Sequence, residues 1–123
     1  MKPLQALIAA LLIIISVPGI TQGKSTFVFA RVTESILPIE RENKYEDPLD
    51  EALKQANLGE VTGGGSSLSK DRKVEWVGID IELDNIVNGI PFIKNKLRQL
   101  GAPYDSTLEY ETDGKKIVTR IYQ

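Results

Sequence analysis

Residues 73–84 constrain the fold of this chain more than any other stretch. Val77, Ile79, Ile81 and Leu83 alternate there with Trp76, Gly78, Asp80, Glu82 and Asp84. Strict alternation of period two marks a strand with one face in the core and the other toward water. The chain must therefore build a sheet that is covered on one side, and the remaining segments indicate by what.

Residues 26–33 (TFVFARVT) are rich in β-branched and aromatic side chains and read as a strand. Val28, Ala30 and Val32 share one face, and Phe27, Phe29 and Arg31 the other. Apolar side chains on both faces predict a central position but leave open which face meets the core. Residues 35–45 follow as a charge-dense connecting loop containing Pro38. A helix start is written at residues 46–51: Asp47 can cap, Pro48 suits the first helical position, and an acidic first turn complements the helix dipole. Leu49, Leu53 and Ala56 then recur on one stripe, with Gly59 as the stop.

Residues 60–68 (EVTGGGSSL) read as an irregular strand, because Gly63, Gly64 and Gly65 weaken regular pairing and invite a bulge or bend. Residues 69–73 form a polar turn before the alternating strand. Residues 85–89 then lead into a second helix, with Ile90, Ile93, Leu97 and Leu100 on its apolar face and Lys94, Lys96 and Arg98 toward solvent. Gly101 ends it, with Pro103 close behind. Residues 107–111 and 115–122 flank Thr112-Asp113-Gly114, and Asp-Gly is a strong hairpin signal.

The order β-α-β-β-α followed by a hairpin predicts an α+β fold. It is an antiparallel sheet with two helices on one face, in ferredoxin-like βαββαβ order with an added C-terminal hairpin strand. That sandwich hosts many unrelated functions, so it assigns none by itself.

Compartment is read from residues 1–23. Lys2 precedes an apolar run over residues 4–15, broken only by Gln5, and then Ser16-Val17-Pro18-Gly19 and a small-residue exit at Thr21 and Gly23. This is the pattern of a secretory signal peptide. The rival reading is an uncleaved anchor, but a spanning helix needs roughly 20 mainly apolar residues. Residues 4–17 supply 14, and Pro18-Gly19 stop them. The expectation is a single exported domain over residues 24–123, periplasmic or extracellular, with no membrane attachment after cleavage.

Composition narrows its chemistry. The chain contains neither His nor Cys. Ser–His and Cys–His nucleophilic pairs are therefore impossible, as are the usual zinc sites and disulfide staples. Once Lys2 leaves with the signal, 14 basic side chains face 17 acidic ones, a net charge of −3. That balance argues against nucleic acid, which demands a basic footprint. No cofactor motif is present.

Few residues invite a functional reading. Asp80, Glu82 and Asp84 project from one strand face about 7 Å apart, with Trp76 and Gly78 continuing the strip. The strip could hold calcium or a cationic ligand, or supply a carboxylate pair for glycoside hydrolysis. It could equally be a solvated face whose charges discourage aggregation. Trp76 suits a partner interface, or it covers the sheet beside Tyr110 or Tyr122. The glycine triplet could form an anion nest, but no Gly-Lys-Ser/Thr ending and no helix follow it, which favours a structural bulge.

The expected function is a small non-catalytic domain that binds another protein through Trp76, Asp80, Glu82 and Asp84. An inhibitor or immunity-type protein of a bacterial periplasm would have this size, acidity and lack of cofactor. The alternatives are a carboxylate-dependent hydrolase of envelope glycans and a structural accessory domain of an envelope complex.

Overall fold

The computed structural model describes residues 25–123, so the signal-peptide reading of residues 1–23 lies outside the described residues. The elements are β1 (Thr26–Val32), α1 (Pro38–Arg41), a π-helical turn (Glu42–Glu46), α2 (Asp47–Gln55), β2 (Gly59–Leu68), β3 (Val74–Leu83), α3 (Ile86–Gln99), β4 (Thr107–Thr112) and β5 (Lys115–Arg120). The strands form a five-stranded sheet in the order β2-β3-β1-β4-β5, with every pairing antiparallel. This is the α+β class that the patterning predicts. The ferredoxin-like order is matched in part, since β5 extends the sheet beyond β4 as a new edge.

The register settles which face of β1 is inside. Val28, Ala30 and Val32 are fully buried and pair with Ile81, Ile79 and Val77 of β3. Over them lie Leu49 and Leu53 of α2 and Ile90, Ile93 and Leu97 of α3, which together close the hydrophobic core. Both helices cover the same face, and Phe27 and Phe29 point the other way. Among the described residues no helix is long and apolar enough to cross a membrane.

The first helical segment starts earlier than the sequence reading expects. Residues 35–45 are not a loop: the chain is helical from Pro38, and Glu40 accepts a hydrogen bond from the Leu37 N–H at 2.8 Å. The missed signal is a row at every fourth residue, Arg41, Tyr45, Leu49 and Leu53, all buried. Asp47 consequently makes no side-chain cap, and Pro48 sits at a junction within the helical run. The wide turn before it, in which Asp47 N–H donates to Glu42 O, relieves the clash a proline ring makes with the carbonyl four residues back.

Gly59 is not the stop either. Asn57 takes the left-handed conformation (φ 57°), while its N–H reaches Lys54 O and the Leu58 N–H reaches Leu53 O at 3.0 Å. Two crossed bonds of this kind satisfy the last carbonyls of the helix. Gly101 closes α3 in the same way, as its position in the sequence suggests.

α3 begins at Ile86, capped by the Asn85 side chain, so residues 86–89 are helical rather than a lead-in. Its basic face is only partly a solvated one. Lys94 donates to Thr119 Oγ1 at 2.9 Å and to Gln123 O, and Arg98 donates to Ile121 O. These groups hold the C-terminus down because β5 ends at Arg120 and Ile121 turns into the core, fully buried. The hairpin itself turns at Asp113 and Gly114, both with positive φ, the geometry that matches strand twist.

Two polar ties join helical turns to strands. Buried Tyr45 donates its hydroxyl to Glu34, and burial together with that carboxylate pushes its ionisation far above the usual tyrosine range. Burial alone would raise the Glu34 carboxyl, but hydrogen bonds from Tyr45 and Lys44 outweigh it and hold it low. Asp50 likewise accepts the Val61 N–H at 2.9 Å and pairs with Lys54. These contacts overcome its partial burial and lower its ionisation.

Candidate functional site

The uncovered face of the sheet carries every side chain that the alternation of β1 and β3 sends away from the core. Its rows follow from the register. Asp80 of β3, Phe29 of β1 and Glu109 of β4 lie side by side, with Gly63 beyond Asp80 and Val118 beyond Glu109. One step along, Glu60 of β2 faces Glu82 of β3, which neighbours Phe27. In the other direction run Gly65, Gly78, Arg31, Thr107 and Arg120.

Trp76 stands at the far end of β3, half-buried. Phe29 meets it edge-on, with ring centroids 5.9 Å apart and planes at 84°, and the Arg31 guanidinium lies 4.2 Å from its ring centre. Tyr110 and Tyr122 are not its neighbours: Tyr110 packs toward the core, and Tyr122 hydrogen-bonds Ala102 O. The Phe29 ring reaches this position because residue 78 has no side chain. A Cβ there would come within 2.6 Å of the ring. Gly78 thus lets three side chains from two strands form one cluster.

Asp80 and Glu82 join Trp76 on this face, as the alternation implies. Asp84 lies one residue past the end of β3 at Leu83; its N–H donates to Leu58 O at 2.8 Å, and it lines a small surface pocket with Glu60 and Glu82. Ser25 donates to Glu82 at 2.8 Å, and Lys116 pairs with Glu109 at 3.4 Å. Glu60 and Glu82 are like charges directly opposite one another, an arrangement that costs stability.

The glycine triplet lies in paired strand, not in an anion nest. The register slips between Val61 and Gly63, which is the bulge its composition suggests. Gly63 faces Asp80 on the open side, whereas Gly64 faces the helices, where a Cβ would overlap Glu46 of the nearly buried Arg41–Glu46 ion pair. At Gly65 a Cβ would meet nothing within 4 Å.

Several members of the face escape the sequence reading. Phe27 is 49% exposed and lines, with Phe29, Glu109, Tyr110, Glu111 and Lys116, a shallow cleft of about 550 Å³. The alternation of Glu109 and Glu111 with Leu108 and Tyr110 was the available signal for the acidic pair. Among the described residues, no group of three or more His, Cys, Asp or Glu gathers closely enough to hold a metal ion. The face offers hydrogen-bond acceptors, negative charge and exposed rings, which suit binding. No family model matches the chain, and neither the curated proteins nor the solved structures contain a match to it.

Proposed function

We propose that the protein is a small exported domain without catalytic activity that binds another protein on its open sheet face. The observation that carries this reading is the set of rings on the side of the sheet away from both helices: Phe29 packed edge-on against Trp76, and Phe27 exposed beside Phe29 in the same cleft. Buried aromatic anchors dominate protein interfaces, and rims of charge around them supply specificity. Export is supported by the signal-like pattern of residues 1–23. The absence of His and Cys from the sequence removes the commonest nucleophile–base pairs. An inhibitor or immunity-type role in a bacterial periplasm fits this size, charge and surface.

The test is affinity capture from a periplasmic extract with three baits: the protein itself, Trp76→Ala, and Glu51→Ala on the exposed side of α2. The reading expects one stoichiometric partner, kept by Glu51→Ala and lost by Trp76→Ala, with all three baits equally folded by circular dichroism. A partner kept equally by both variants, or no partner together with turnover of a glycan substrate, overturns it.

A further inference from the structure

The open face repeats one arrangement twice. Phe29 lies between Asp80 and Glu109, and one step along β1 Phe27 lies beside Glu82, with Glu111 lining the cleft next to it. Each phenylalanine thus has acidic residues on both neighbouring strands, and the Phe29 ring extends from its row over Gly78. Glu60 adds a fifth negative group beside Glu82. Lys116 is the only cation among the described residues that line the cleft, and Glu109 already pairs with it. The other cations of the face, Arg31 and Arg120, stand in the next row beyond Phe29, with Thr107 between them.

A ring flanked by carboxylates suits one kind of side chain. The aliphatic stem of Lys or Arg covers an apolar surface while its head stays at the charged rim. The face of the ring adds attraction for that head. Residues two apart on a strand lie about 7 Å apart on the same face, so the two rows present two such seats at the spacing of alternate residues in an extended peptide. Resting on the protein-binding reading above, we infer that the partner inserts an extended basic segment here. Its Lys or Arg side chains, at alternate positions, seat on Phe27 and Phe29. Arg31 and Arg120, in the row beyond Phe29, repel further basic residues on that side and so fix the position of the segment along the sheet.

The probe is an acetylated, amidated pentapeptide, Thr-Lys-Thr-Lys-Thr, titrated into the protein and followed by backbone amide NMR. Saturable shifts are expected around Phe27, Phe29, Asp80 and Glu109. A peptide with adjacent lysines, which point to opposite sides, binds several-fold more weakly, as does the alternating peptide to the Asp80→Asn/Glu82→Gln double variant, by roughly fivefold. Asp47→Asn, on α2, leaves binding unchanged. Shifts spread equally over the helix carboxylates, or affinity indifferent to lysine spacing, would overturn the inference. The protein-binding reading fails separately: a captured partner that needs Trp76 but ignores Asp80→Asn/Glu82→Gln leaves that reading standing and removes the basic segment.

Discussion

Gly64 and Gly65 are consecutive, chemically identical and under opposite constraints. The Gly64 hydrogen that a Cβ would replace points at the Arg41–Glu46 pair, whose guanidinium also donates to Ser66, whereas Gly65 faces open solvent. Gly64→Ala is expected to cost about 1–3 kcal/mol in urea denaturation, because a nearly buried ion pair must move to admit it. Gly65→Ala should stay within about 0.5 kcal/mol. The sequence marks all three glycines as weakening the strand but cannot tell them apart, since the difference arises from a helix packed beneath only one of them. Phe29 presents a similar case. Its alternation with Val28 is plain in the sequence, yet both faces of β1 are apolar, and only the burial of Val28 and Val32 under the helices sends the phenyl ring to the open side.

Elements with one strong period were legible, and those joined by long-range ties were not. β3 and the Asp-Gly hairpin needed only alternation and turn chemistry. The helical residues before Pro48 were hidden because proline and a run of charge imitate a boundary, while the π-helical turn that tolerates them leaves no simple trace in sequence. The C-terminal residues looked like continuing strand, yet Ile121 leaves it for the core, with Arg98 on its carbonyl. Ile121→Ala should therefore destabilise the protein by about 2–4 kcal/mol in thermal or urea unfolding. If the loss is below about 0.5 kcal/mol, the C-terminal anchor is not structural.

The ties at Glu34 and Asp50 also predict a pH dependence. Both carboxyls titrate lower in the folded protein than in the unfolded chain. Their stabilisation is thus present above the ordinary carboxylate range near pH 4 and is lost as pH falls through their folded values. Urea midpoints should hold steady from about pH 7 to 5 and fall below about pH 4, with a shallower fall in a Glu34→Gln/Asp50→Asn variant. An unchanged acid limb in that variant would show that the ties carry none of the effect.

At the scale of the whole molecule, the sheet divides the described residues into a side that makes the core and a side left open to solvent. The alternation in β3 made the existence of an open face legible, and with it Trp76, Asp80 and Glu82. Alternation has no means of saying where a strand stops, and Asp84 falls one residue beyond β3, in a pocket shared with Glu82. Phe27, Phe29, Glu109 and Glu111 were passed over because the face is assembled from strands far apart in sequence, and its rows exist only once β1 sits between β3 and β4.

The central claim is that the open face, and not the helix side, meets the partner. Hydroxyl-radical footprinting of the protein alone and in its captured complex reads this directly from side-chain oxidation. The account predicts strong protection of Trp76, Phe27 and Phe29 on binding, while exposed Val87 and Ile39, on the helical segments, oxidise as in the free protein. Protection of Val87 or Ile39 with Trp76 and Phe27 unchanged would contradict it.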